Sequence, residues 1–95
     1  MLKPTTHPFH LMFRERYKQL AFPSLQAAAD YLNAHVEVGG RRVTRYSVHD
    51  WLGRWRPGPD HQATICRALC LTPEQMTLMV GGVPVAYAQP QDVVG

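Results

Sequence analysis

Arg45, Tyr46, Ser47, His49 and Asp50 form the densest group of hydrogen-bonding side chains in the sequence. A guanidinium, a phenol, a hydroxyl, an imidazole and a carboxylate side by side are suited to reading a pattern of donors and acceptors. Behind them Val48, Trp51 and Leu52 recur at i, i+3 and i+4, so they share one stripe of a helix and face a core, while Arg45, Tyr46, His49 and Asp50 face outward. Thr44 fits the N-cap, where its side-chain oxygen accepts from an orphan amide near Tyr46 or Ser47. This places Arg45, Tyr46 and Ser47 in the first turn, the part of a recognition helix that meets base edges in a DNA major groove.

Charge is concentrated in the same place. Between Arg41 and Arg56 stand five arginines and a single acid, Asp50, a local balance of +4 in a chain whose formal total is +3. Such a concentration suits a phosphate-facing surface; a solvated arginine face on an unrelated helical protein is the alternative. The seven acids, Glu15, Asp30, Glu37, Asp50, Asp60, Glu74 and Asp92, are scattered, with no pair spaced to share acid/base work. With no glycine-rich phosphate loop and no nucleophile motif, neither an enzyme nor a cofactor is expected. Cys66 and Cys70 lie four apart in a helical pattern, poorly placed for a disulfide and without the paired spacings of a zinc module. A reducing cytoplasm and no bound metal are the corresponding expectations.

Ninety-five residues with 45% hydrophobic content support one domain with a modest core; no apolar run reaches membrane length, and no signal peptide is expected. The elements that must position the outward-facing helix are also helical. After a loose arm over residues 1–7, Pro8 opens a first helix in which Phe9, Phe13, Tyr17 and Leu20 form a core stripe, ending before Pro23. His7 and His10, in or beside the arm, are expected to be solvated. Ser24 caps a second helix with Leu25, Ala28, Ala29 and Leu32 inward, the alanines allowing close approach of a neighbour. This helix is expected to run on through Val36, in preference to a hairpin turning at Gly39-Gly40. The central helix must stop by Arg56, before Pro57-Gly58-Pro59. Asp60 then caps a fourth helix with Ile65, Cys66, Leu69 and Cys70 inward. Thr72-Pro73-Glu74-Gln75 carries a capping box and proline at the first position of a fifth helix, with Met76, Met79 and Val80 inward and Gly81-Gly82 closing it. Residues 83–95 are expected to be a tail or a short edge strand. The fold class expected is all-α, a bundle of about five short helices containing a helix-turn-helix over residues 8–82.

In that order, Val43-Thr44, Ser47-Val48, Trp51, Pro57, Ala68-Leu69-Cys70-Leu71-Thr72 and Glu74 to Met76, with Ala27-Ala28-Ala29 before them, the sequence resembles the phage Cro and repressor type of helix-turn-helix protein, the Xre-like family. The resemblance covers residues 24–79. It departs in two places: the segment 34–43 is longer than the usual turn of three or four residues, and Gly53 comes early where the glycine after the recognition helix is expected. The resemblance implies a recognition helix at about 44–54, with Arg45 and Tyr46 touching bases and Ser47 and Asp50 as secondary contacts. Arginine in that place pairs bidentately with guanine. Asp50 either accepts from cytosine or, preferably, holds Arg45 or Arg54 in place. Arg41, Arg42, Arg54 and Arg56, with Thr44, become phosphate contacts, which position the protein without reading sequence. His49 is either a base or phosphate contact or a plain surface histidine. Trp51 is expected to be a core anchor, and Trp55 either packs on a sugar or braces the loop.

The function expected is that of a sequence-specific transcriptional regulator, repressor-like and of phage or bacterial type, binding double-stranded operator DNA as a homodimer in the cytoplasm at the nucleoid, with no membrane partner. The alternative is a protein-interaction module on the same scaffold, an antitoxin or phage accessory protein that turns its arginine surface to an acidic protein.

Overall fold

The structure, a computed structural model, describes residues 4–87. Five helices follow one another, α1 (Pro8–Gln19), α2 (Leu25–Asn33), α3 (Arg45–Trp51), α4 (Pro59–Leu69) and α5 (Pro73–Val80), and no strand occurs among the described residues. None of these helices is long and apolar enough to cross a membrane.

Local chemistry explains most of the helix starts. Ser24 Oγ accepts from the Ala27 amide at 3.1 Å and Thr44 Oγ1 from the Ser47 amide at 3.2 Å, so α2 and α3 both begin at side-chain caps. At α5 the capping box is complete: Thr72 Oγ1 accepts from the Gln75 amide at 3.1 Å, and Gln75 Oε1 accepts from the Thr72 amide at 2.9 Å. α1 starts with Pro8, and the preceding His7 accepts from the Phe9 amide through Nδ1. α4 corrects the expected Asp60 cap. Gly58 is the N-cap and makes no side-chain bond, because Pro59 already occupies the first helical position and moves the start forward.

The core collects Phe9, Met12 and Phe13 from α1, Ala28, Ala29 and Leu32 from α2, Val48, Trp51 and Leu52 at α3, Ile65, Ala68 and Leu69 from α4, and Met76 and Met79 from α5. Leu20 falls off the α1 stripe and is exposed, while Arg16 is buried on it. In α4 the inward set also differs from expectation: Thr64 and Ala68 are buried with Ile65 and Leu69, whereas Cys66 is half-buried and Cys70 exposed. Cys70 is the C-cap with φ of +58°, a left-handed turn that swings its side chain to solvent and lets the Leu71 amide return to the Cys66 carbonyl at 3.0 Å. Both thiols are free.

The segment before α3 is the largest departure. α2 does not continue through Val36 but stops at Asn33, with the His35 and Val36 amides closing turns on Leu32 and Asn33. No hairpin forms either. A β-turn closes where the Gly40 amide meets the Glu37 carbonyl at 2.8 Å, and Gly39 supplies the positive φ of +81° that its third position requires. The reason that the helix ends is visible in Asn33 itself. Its Nδ2 donates to the Val43 carbonyl at 2.8 Å and its Oδ1 accepts from the Val43 amide at 2.7 Å, so one amide side chain pairs with both backbone groups of the buried residue that leads into α3. The ten-residue excursion therefore leaves and returns at a single point.

The expected edge strand after Gly82 is not formed over residues 83–87, and residues 88–95 lie outside the described ones. Val85 and Tyr87 instead pack on the core, and Gln75 Nε2 donates to the Ala86 carbonyl at 2.9 Å. Tyr87 donates to the Glu15 carboxylate at 2.6 Å beneath the Arg16 guanidinium. Burial and the Glu15 charge push its phenol up to about 12.

Candidate nucleic-acid interface

α3 is seven residues long, too short to be stable alone, and tertiary contacts hold it. Val48 and Trp51 are buried on its back, with Trp51 only 3% exposed, edge-on to Phe13 at 5.9 Å and to His61 at 4.9 Å between ring centroids. Trp51 is thus the core anchor that its spacing predicts. The small side chains of Ala28 and Ala29 let α2 lie close behind it.

The C-terminal end of α3 is held by two residues that the sequence reading missed. His10, expected in solvent, is 2% exposed, and its Nδ1–H donates to the Trp51 carbonyl at 2.8 Å. One turn later on α1, Arg14 Nε donates to the Leu52 carbonyl. The last carbonyls of a helix have no partner within it, and here α1 supplies both donors. Gly53 is part of the same arrangement: a Cβ on it would fall 2.5 Å from the Arg14 guanidinium. The early glycine is where this side chain crosses the backbone. The available signal was the i, i+4 spacing of His10 and Arg14 beside Phe9 and Phe13, which puts two donors at the edge of the buried stripe.

On the front of α3 the structure brings Arg45, Tyr46, His49 and Asp50 together. Arg45 and His49 are exposed, Tyr46 is 67% exposed and Asp50 is half-buried. Arg45 Nη2 donates to the Tyr46 hydroxyl at 3.0 Å, with the guanidinium 5.1 Å from the ring centroid. That hydrogen bond, aided by the charge, lowers the Tyr46 phenol and raises Arg45. Ser47 is turned to the flank, its hydroxyl 3.2 Å from Thr44 Oγ1, so both hydroxyls belong first to the N-cap. The Asp50 carboxylate does not hold Arg45 or Arg54; it lies 4.0 Å from His49 Nδ1. Arg45 is taken up by Tyr46, and Arg54 stands over Trp55 at 5.8 Å.

Arg41 and Arg42 just before α3 and Arg54 and Arg56 just after it are exposed, as is Thr44 at its N-cap, and Arg41 lines a surface depression with Glu37, Asp60 and Arg67. Arg42 is fixed through its carbonyl, which accepts from His61 Nε2–H at 3.2 Å. Arg56 lies close enough to the start of α1 to act on His7, whose imidazole is lowered first by burial, then by the Arg56 charge and by His10. Among the described residues no carboxylate is within ion-pair reach of Arg41, Arg42, Arg45, Arg54 or Arg56. The acid nearest in sequence to the start of this region, Glu37, is engaged with Arg67 at 3.2 Å. The five exposed guanidiniums are therefore not engaged in ion pairs among the described residues. Among known proteins, no family model, no curated protein and no solved structure matches this chain.

Proposed function

We propose that the chain is a sequence-specific regulator that binds duplex DNA through α3 and acts by occupying an operator, in the manner of a phage or bacterial repressor. One observation carries this reading: a helix whose back is wholly buried presents a hydrogen-bonding front amid five arginines, with no carboxylate within ion-pair reach of them. Arg45 and Tyr46 stand where base edges are read, with His49 and Asp50 beside them, and Ser47 contributes chiefly through the cap. Arg41, Arg42, Arg54 and Arg56 contact phosphates, which gives affinity without sequence information. The protein binds and does no chemistry, and its place of work is the nucleoid.

A homodimer on a two-fold symmetric site completes the proposal, with half-sites about 10 bp apart. Leu78 and Val83, both exposed and tied together by the Val83 amide on the Leu78 carbonyl at 2.8 Å, supply an apolar contact at the far end of α5. The tail from Val85 onward is less suited, since Val85 and Tyr87 face their own core.

Selection from a randomised duplex pool at near-physiological salt tests the reading. Enrichment of a symmetric motif is the expected result, and its spacing gives the dimer geometry. Retention without enrichment would reduce the arginines to phosphate binders, and no retention would turn the same surface towards an acidic protein partner.

A further inference from the structure

The front of α3 carries an aromatic ring at each end, each with a guanidinium beside it. Tyr46 with Arg45 occupies the first turn, and Trp55 with Arg54 lies just past the last. Trp55 is 58% exposed and does not join the core, which Trp51 already closes at this point. Its backbone is nonetheless fixed. The Asp50 carbonyl accepts from the amides of Gly53, Arg54 and Trp55 at 3.2, 2.7 and 2.9 Å, which winds the chain back over the end of α3 and keeps the indole there.

An exposed indole with a cation against it matches a surface that is apolar and anionic within a few ångströms. A deoxyribose joined to its phosphate is such a surface. Scale supports the match: a seven-residue helix is about 10 Å long, and the major groove is about 12 Å wide. Groups placed beyond the two ends of α3 reach opposite walls of the groove. Resting on the DNA-binding reading, we infer that Trp55, with Arg54 over its ring, docks on the sugar–phosphate backbone of one strand while Arg41 and Arg42 hold the other. The recognition helix is then gripped from both ends, and one of the grips is aromatic and blind to sequence.

The test uses a duplex retained from the randomised pool, the full chain, and the variants Trp55→Ala, Trp55→Phe and Arg54→Ala. Trp55→Ala weakens every duplex by a similar factor, roughly 5- to 100-fold if the ring contributes as aromatic platforms for nucleic acids do. Trp55→Phe, which keeps a flat apolar face, restores most of the loss. The dependence of log Kd on log salt is unchanged by Trp55→Ala, whereas Arg54→Ala reduces its slope by about 0.9 for each subunit bound. Hydroxyl-radical footprinting, which reports on the sugars, shows protection on both strands of each half-site for the parent and loss on one strand of each half-site for Trp55→Ala. The exposed position predicts parental melting temperatures for both Trp55 variants. Parental affinity in Trp55→Ala, or protection kept on both strands of each half-site, overturns the inference while leaving the DNA-binding reading in place. A larger loss on single-stranded DNA than on duplex makes the ring a base-stacking surface and overturns it too. If the parent retains no duplex at all, the reading on which the inference rests has failed first.

Discussion

The two faces of α3 differ more than any other pair of neighbouring surfaces in the molecule. Val48, Trp51 and Leu52 on the back are almost wholly buried; Arg45, Tyr46 and His49, one to three residues away along the chain, are exposed. The back touches α1, α2 and α4 residues, and the front touches little beyond itself. Such a division separates stability from recognition: what is removed from the back is paid in folding, and what is removed from the front leaves the fold untouched.

The largest effect is expected from Trp51→Ala. Removing a buried indole leaves a cavity among Phe13, His61 and the α2 alanines, and losses of about 3–5 kcal/mol are typical of such truncations. For a domain of this size that is a large part of the total stability. Denaturant unfolding should show a low midpoint or no cooperative transition at all. A loss comparable to that of a surface substitution would mean that α3 is not anchored where its back face indicates.

Asn33→Ala comes next, and it acts on the back through the approach to α3. It removes both bonds to Val43 and leaves a buried amide and carbonyl to find other partners, at a cost of about 1–3 kcal/mol. Asn33→Asp sharpens the point, because a carboxylate can accept from the Val43 amide but cannot donate to its carbonyl. Intermediate stability for Asn33→Asp, measured by the same unfolding curves, is the expected order. Gly53→Ala is milder. The new methyl group displaces the Arg14 guanidinium from the Leu52 carbonyl, a loss of about 1 kcal/mol, one ordinary hydrogen bond.

On the front, Arg45→Ala should leave the melting temperature unchanged. In binding to duplexes that differ by one base pair, the same substitution should erase a preference of roughly five- to hundredfold, the discrimination of a bidentate arginine. Arg54→Ala weakens all sequences alike. Equal effects of the two substitutions on every sequence would remove the division between base-reading and phosphate-holding residues.

How much of this could be read from the sequence follows the distance between partners. Ser24, Thr44 and Thr72 each bond an amide three residues on, so a local pattern contains both halves of the interaction, and all three caps are legible. The stripe of Val48, Trp51 and Leu52 is legible for the same reason. Asn33 meets Val43 ten residues away, His10 meets Trp51 forty-one residues away, and nothing around either residue in the chain announces its partner. A histidine near an N-terminal arm reads as solvated until α3 is folded onto it. In α4, period alone places Cys66 and Cys70 inward; the left-handed turn at Cys70 redirects the chain and cannot be anticipated from a residue type that seldom adopts it. Val83 and Val85 alternate with Pro84 and Ala86 as strand residues do, but what bonds this segment is Gln75 of α5 on the Ala86 carbonyl and Glu15 of α1 on Tyr87, and not another strand. For the front of α3 the residues were legible and their pairings were not: Arg45 turns to Tyr46, and Asp50 to His49.

The smallest effect is expected at the seam where the front meets α1. His7 is lowered by burial and by the Arg56 charge, so the folded state binds fewer protons than the unfolded chain as pH falls through and below the ordinary histidine range. The contribution to stability is then complete above about pH 6.5, the unfolded value, and is lost as pH falls towards the lowered folded value. Comparison with His7→Asn, which keeps a capping side chain and removes the titration, isolates the effect: the parent should lose stability relative to the variant between pH 8 and pH 5. Arg56→Gln removes one of the causes and should move the His7 imidazole back towards its ordinary range, as followed by its ring proton shifts. Since DNA phosphate drawn to Arg56 would offset the same charge, bound duplex should shift His7 in the same direction as Arg56→Gln does. A shift in the opposite direction, or none, would place Arg56 away from the bound backbone and narrow the phosphate-holding set to Arg41, Arg42 and Arg54.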